Sequence, residues 1–173
     1  MMPADEKTIS LDGLWKFKQA DDLRWAAPDF DDSNWKTHPV PGSWTRNDFT
    51  GQSISWYRTW IDVPEHMNSA THWALLTGRI ISAAEIYWDG NLLVRYGKVG
   101  DSKESETPGK SDYLFIIPQN NKTAGRHLIS IRISNFHSSS GNILQVPEFG
   151  SYKQLFIHHE GRIAWLSILI GLL

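Results

Sequence analysis

Ala84-Glu-Ile-Tyr-Trp-Asp-Gly-Asn-Leu92 is the stretch that decides the fold class. Ala84, Ile86 and Trp88 alternate with Glu85, Tyr87 and Asp89, the period of a strand that buries one face. Asp89-Gly90 then separates Trp88 from Leu92. A two-residue hairpin turn of type I′ needs positive φ at both central positions, and Asp-Gly is among the pairs that accept it. The same period recurs outward in both directions. Ile129, Ile131 and Ile133 alternate with Ser130, Arg132 and Ser134, and Tyr57, Thr59, Ile61 and Val63 alternate with Trp56, Arg58 and Trp60. Tyr113, Phe115 and Ile117 alternate with Leu114 and Ile116, apolar on both sides as an inner strand is. Further strands are expected at Leu14–Lys18, Trp73–Thr77, Leu92–Tyr96, Ile143–Val146 and Tyr152–His158. Phe30-Asp-Asp-Ser-Asn-Trp35 reads as one capped turn that inserts an aromatic. Residues 97–112 are polar and mixed in charge, and are expected to form a mobile loop. No long helix is expected before the C-terminal segment. Many short strands with Gly, Pro, Asn and Asp between them specify an all-β sandwich or jelly roll.

The chain has 173 residues, enough for one ordinary domain. It has 17 Lys and Arg against 19 Asp and Glu, a net charge of −2, which lacks the basic footprint of a nucleic-acid binder. It has no cysteine, so disulfides, thiolate metal sites and a Cys nucleophile are excluded. Nine Trp beside five Tyr and seven Phe specify either a β core of large residues or stacking surfaces.

Catalytic constellations are not evident. His158-His159-Glu160 is the densest cluster, but on a strand two neighbours face opposite ways and share no metal. Asp21-Asp22 and Asp31-Asp32 are adjacent in sequence, whereas glycosidic cleavage needs two carboxyls facing each other across a cleft. The motifs of nucleophile elbows, zinc helices and phosphate loops do not occur. No cofactor and no metal are expected.

The C-terminal run Ile163-Ala-Trp-Leu-Ser-Ile-Leu-Ile-Gly-Leu-Leu173 has no charge and no polar face. A membrane-spanning helix needs about 20 apolar residues, and the run supplies about half of that. Arg162 at its edge and Trp165 just inside fit an interfacial anchor. The favoured reading is the truncated start of a first transmembrane helix at 161–173, following a jelly-roll domain at 8–160. A buried core segment is the other reading, because short apolar runs do not distinguish the two.

A family resemblance rests on the order of several motifs. These are Leu11-Asp-Gly-Leu-Trp-Lys-Phe17, Phe30-Asp-Asp-Ser-Asn-Trp35, Val40-Pro-Gly-Ser-Trp44, Trp56-Tyr-Arg58 and Val63-Pro64. Leu76-Thr-Gly78, Ala84-Glu-Ile-Tyr-Trp-Asp-Gly90 and Ala124-Gly-Arg-His-Leu-Ile-Ser-Ile-Arg-Ile-Ser-Asn135 continue the series. Across residues 11–157 this resembles the N-terminal sugar-binding-like domain of family 2 glycoside hydrolases. It implies a galactose-binding-like jelly-roll β-sandwich. In that family the catalytic carboxylates sit on a separate barrel, so the resemblance implies a non-catalytic module. With its apolar tail the chain also resembles the extracytoplasmic sensor module of bacterial seven-transmembrane receptors with diverse intracellular signalling modules. That resemblance implies a sensor of a carbohydrate or other small molecule, on the periplasmic or extracellular side, membrane-attached through the C-terminal helix and able to form a homodimer. An accessory domain of a family 2 glycoside hydrolase is the alternative, and a purely structural interaction domain is a third reading.

Sugars stack their C–H faces on aromatic rings and are gripped by planar polar groups. By that chemistry the candidate ligand-binding residues are Trp44, Arg46 and Asp48 after the Pro-Gly turn, Trp56 and Arg58, and Asn135 and His137 after the long strand. Trp56, Arg58 and Trp60 share one face by period two. The competing reading makes the two Trp core residues and pairs Arg58 with a carboxylate.

Overall fold

The alternating stretches all become antiparallel strands. A computed structural model of the chain describes residues 8–45, 54–109, 113–138 and 140–170. In chain order the strands are β1 (Ile9–Ser10), β2 (Gly13–Lys18), β3 (Lys36–Val40), β4 (Trp44–Thr45), β5 (Ile54–Val63), β6 (Trp73–Leu76) and β7 (Ile80–Ile81). They continue as β8 (Ala83–Trp88), β9 (Asn91–Tyr96), β10 (Leu114–Ile116), β11 (Gly125–Ser134), β12 (Ser140–Ile143) and β13 (Glu148–Ser151), and one helix follows, α1 (Tyr152–Ile170). A six-stranded sheet runs β3-β2-β5-β11-β8-β9, and a four-stranded sheet runs β1-β13-β6-β10. A small ribbon, β4-β12-β7, sits where the chain crosses between the two. The fold is the expected all-β sandwich.

The main core lies between the two larger sheets. β5 and β11 are the longest strands and pair along their whole length, from Gly125 opposite Val63 to Ser134 opposite Ile54. Their inward residues Tyr57, Ile61, Ile129, Ile131 and Ile133 are buried with Trp15, Phe17, Ile86 and Trp88 from the same sheet, and with Trp73, Leu75 and Phe149 from the other. Each such side chain contributes about 1.5–3 kcal/mol on burial. The Asp89-Gly90 turn has φ of 48° and 80°, as the sequence requires. Asp89 then ties this end of the sheet: its Oδ1 accepts the Leu128 N–H at 2.8 Å, and its Oδ2 lies 2.7 Å from His127 Nδ1.

Residues 19–35 fold over the outer face of the six-stranded sheet and form a second core. Trp25, Ala26 and Trp35 close on Trp56 and Tyr87, with Phe30 and Leu92 at the margin. Asp22 caps the 3-10 turn Leu23–Ala26 by accepting the Arg24 N–H. Asp31 accepts the Ser33 N–H at 2.9 Å, so the expected capped turn forms and delivers Trp35 to the interior. This sheet is therefore covered on both faces over much of its area.

Three local expectations are corrected. Tyr152–His158 is the first part of α1, not a strand. Ser151 accepts the Gln154 N–H at 3.3 Å and caps the helix, and Leu155 turns inward against Ala74 and Leu76 while Tyr152, Phe156 and Ile157 stay exposed. His158 and His159 are thus helical neighbours; His158 reaches Glu148 and His159 reaches Glu160. The strand expected at Ile143–Val146 lies earlier, as β12, because it pairs with Trp44–Thr45 on one side and Ile80–Ile81 on the other. Of the polar stretch 97–112, residues 97–109 are pinned by hydrogen bonds, since Lys98 and Thr107 bond to each other in both directions and Ser105 Oγ accepts the N–H groups of Asp101 and Ser102, while 110–112 lie outside the described residues. Among the described residues no helix is long and apolar enough to cross a membrane.

Candidate functional site

The C-terminal end of β11 gathers the loops that carry candidate residues. Ser134 lies opposite Ile54 of β5 and Ala83 of β8, and beyond it the chain runs Asn135-Phe-His-Ser138. Ribbon and loop converge on the same end. Gly42 N donates to Ile143 O at 3.0 Å, Gly100 N donates to Ser134 Oγ at 3.3 Å, and Gly109 N donates to Ser82 O at 3.0 Å.

Glu106 is the hub of this end. Its side chain is fully buried, accepts the Phe136 N–H at 3.2 Å on both oxygens, and lies 2.9 Å from His137 Nδ1. A buried carboxylate is tolerable only when such donors satisfy it. Here the donors come from the 135–138 loop, so Glu106 fixes that loop against the segment after β9. Asn135 is buried, and its Oδ1 accepts the Ser138 N–H at 3.1 Å, closing the turn. Of the expected binding residues, His137 is part-exposed here, while Asn135 shapes the loop backbone.

Trp56 and Arg58 are placed elsewhere, under the 19–35 segment. Trp56 is fully buried, stacks on Tyr87 at 5.5 Å and donates its Nε1–H to Asp21 Oδ1 at 3.1 Å. Arg58 is 1% exposed. Its guanidinium donates to Ala27 O at 3.0 Å and Phe30 O at 3.2 Å, pairs with Asp32 at 3.1 Å, and lies over the Phe30 and Trp35 rings. Burial pushes its pKa below the usual guanidinium range, and Asp32 pushes back. In this conformation Arg58 fastens the covering segment, and a ligand reaches neither side chain. Trp60, on the same face but beyond the cover, is 38% exposed and lies under Arg126 at 4.6 Å. Trp44 belongs to β4, paired with Gly141, which puts its backbone at the ribbon. Arg46 and Asp48 lie outside the described residues.

A charge network borders the covered face. Arg132 donates to Asp21 at 2.5–2.7 Å and to Glu85 at 3.0 Å, and Arg95 donates to Glu85 at 3.1 Å. Tyr87 donates its hydroxyl to Glu85 at 2.9 Å. Burial raises the pKa of both Asp21 and Glu85, but the hydrogen bonds, led by Arg132, outweigh it and hold both carboxyls below the ordinary range. Burial and then the bond to Glu85 raise the Tyr87 phenol. Among the described residues no group of three or more His, Asp or Glu is arranged to hold a metal.

A cleft that the sequence reading overlooked opens between the edge strands β9 and β10. It has a volume of about 130 Å³ and is lined by Arg95, Tyr96, Gly97, Tyr113 and Phe115. Tyr113 is 40% exposed and stacks on buried Tyr96 at 5.3 Å, and Phe115 meets Tyr96 edge-on at 5.5 Å. The stretch 113–117 holds a strand as expected, but an edge strand and not the inner one expected: β10 ends the four-stranded sheet, which leaves Tyr113 uncovered, and strand order is not recorded in the local alternation.

No family model matches the chain, and no curated protein matches it. Solved structures do share its fold. Bacteroides uniformis beta-glucuronidase 2 superposes with a TM-score of 0.68 at 18% identity over 83% of this chain and 18% of its own. A glycosyl hydrolase family 2 member from Bacteroides cellulosilyticus gives 0.65 at 18% identity, over 83% of this chain and 20% of its own. A Ruminococcus gnavus beta-glucuronidase gives 0.62 at 15%, over 84% and 29%. The chain thus spans less than a third of each of these enzymes, and what it shares with them is the sandwich.

Proposed function

We propose that the chain is the non-catalytic, extracytoplasmic ligand-sensing domain of a membrane-bound bacterial signalling receptor, with a carbohydrate or other small molecule as its ligand. The observation that carries this reading is the junction of sheet and helix. β13 is hydrogen-bonded into the four-stranded sheet up to Ser151 opposite Trp73, and α1 starts at the next residue. Leu155 seats the helix on Ala74 and Leu76, and the helix continues into the uncharged run from Ile163. A shift of that sheet is a shift of the helix. The carrier is helical, in place of the last strand expected from sequence. A ligand on the loops at the Glu106 end would bias one arrangement over another by its affinity difference between them. Contact between neighbouring domains in a homodimer is a second output route of the same reading. Nucleic acid has no place in it, given the net charge of −2.

The second reading, an accessory domain of a family 2 glycoside hydrolase, is favoured by the enzymes that share the fold. The two part in the coding sequence beyond Leu173. A receptor requires about ten further apolar residues before a charged flank, whereas a second β-sandwich there would refute the receptor reading. A thermal-denaturation screen of the chain against saccharides and other small metabolites tests the sensing itself. At least one is expected to raise the midpoint, and a flat response across the whole screen would refute ligand sensing.

A further inference from the structure

α1 is a long helix with little of its own domain against it. Over residues 152–160 only Leu155 is buried. Helices in proteins owe most of their stability to packing of an apolar face, and here the exposed apolar residues stand to one side of the anchor. The helix turns about 100° per residue. Leu155 marks the side that faces Ala74 and Leu76 of β6. His158, about 60° round from it, reaches Glu148 on β13. Tyr152 and Phe156 lie about 60° and 100° round the other way. β6 stands between β13 and β10, so this second flank faces the β10 border of the sheet.

The flank is aromatic and open. Tyr152 is 36% exposed and Phe156 45%, and their rings stack at 5.9 Å. On β10 beneath it, Ile116 lies opposite Ala74, hence on the face that carries the helix, and is 47% exposed. Lys153 and Ile157 point further round, away from the sheet.

Lipid is a poor match for these rings. In the receptor reading the uncharged run starts at Ile163. Along the helix, Phe156 stands about 10 Å above that start and Tyr152 about 16 Å. The headgroup layer on one side of a bilayer is only about 5–8 Å thick. The flank therefore stands in water above the membrane, where an apolar surface calls for a protein partner. A second copy in the same membrane offers the same flank, at the same height and in the same direction.

We propose that α1 joins two copies of this chain, paired in parallel about a two-fold axis along the flank of Tyr152 and Phe156, with Ile116 at the margin. Such a contact is self-matching, each ring meeting its own counterpart. The two rings expose roughly 80 Å² each, well short of the roughly 1,200–2,000 Å² that a stable complex buries. The domains alone thus pair weakly, and helices held side by side pair firmly. The inference rests on the receptor reading for the shared direction of the helices, and it gives the homodimer of that reading a surface.

The chain has no cysteine, so single cysteines report the contact cleanly. The test is oxidative cross-linking of the 173-residue chain carrying Tyr152→Cys, Lys153→Cys, Phe156→Cys or Ile157→Cys. A disulfide needs Cα atoms about 4.4–6.8 Å apart, which parallel helices with axes about 8–10 Å apart allow only on the facing sides. Tyr152→Cys and Phe156→Cys are each expected to form the disulfide dimer at least about fivefold faster than the neighbouring Lys153→Cys and Ile157→Cys. Adding Phe156→Ala to Tyr152→Cys should slow its cross-linking about tenfold, the effect of one lost aromatic contact, and Phe156→Leu should restore most of it. Equal rates at all four positions, as association through the tail alone would give, would overturn the proposal. So would cross-linking at only one of the two flank positions, as in an antiparallel pair, or none at any position. The coding sequence past Leu173 and the thermal screen judge the receptor reading independently of these rates.

Discussion

Replacing Arg58 with alanine should destabilise the fold by about 3–5 kcal/mol, the range for breaking a buried ion pair by removing one partner. The contacts give the same figure. Two hydrogen bonds from a charged donor, to Ala27 O and Phe30 O, contribute about 1.5 kcal/mol each at the low end. The pair with Asp32 adds at most about 1 kcal/mol, because that carboxylate keeps contact with water at 18% exposure. The emptied space beside Phe30 and Trp35 adds a cavity term, and relief of guanidinium burial offsets part of the sum. Arg58→Met keeps the stem and removes the charge, so it should cost roughly 2 kcal/mol, the carbonyls it strands being the main loss. Urea unfolding followed by tryptophan fluorescence near neutral pH measures both. The covering segment carries Trp25 and Trp35, so its release from Trp56 is visible directly. A loss below about 1 kcal/mol for the alanine variant would refute the claim that this side chain fastens the segment. Equal losses for alanine and methionine would show that the charged head, and not the stem, does so, and a methionine variant as stable as the parent would show the reverse.

Gly97→Ala should lower stability by about 1–3 kcal/mol, since it adds a side chain at positive φ against Thr107 O, and a lowered melting temperature checks it. Leu155→Ala should cost about 2–5 kcal/mol and free the start of α1 from the sheet; faster amide exchange at residues 152–160 with the sandwich still protected is the expected signature. Acid should unfold the protein through Asp21 and Glu85. Both carboxyls titrate lower in the folded chain than their ordinary values of 3.8 and 4.5, so the folded state binds fewer protons, and their stabilisation is complete above those values and lost as pH falls below them. Arg132→Gln should flatten that dependence in pH-stepped urea titrations; an unchanged acid limb would disprove the assignment.

The sandwich was legible because its signal is local. Ala84–Trp88, Ile129–Ser134 and Trp56–Val63 each announce two faces, and Asp89-Gly90 announces its own turn. What covers each face is not local. Trp56, Arg58 and Trp60 do share a face, but the cover comes from residues 19–35 and stops short of Trp60, which no period along β5 records. The same limit hid Glu106, one acidic residue in a polar stretch until the loop after β11 is laid against it. The helix was missed for a different reason. Ser151-Tyr-Lys-Gln154 is a capping sequence, and Ser151 does cap α1. The aromatic and β-branched residues that follow outweighed it in a reading by strand propensity. The candidate site was legible only at His137 and the turn around Asn135, since the rest depends on which strands end the sheets.

The ends of the sheets also decide how two copies can meet. Exposed edge strands invite a foreign strand to add to them unless something blunts them. β3 carries Lys36 and Pro39, β1 is two residues long and β10 is three. The remaining edge of the two larger sheets, β9, carries Arg95 and ends at the turn of Gly97. Three of the four borders of those two sheets are thus too short or chemically unsuited for a continuous intermolecular sheet. At those three borders, contact between two copies has to run through side-chain surfaces, where single substitutions can strengthen, weaken or redirect it.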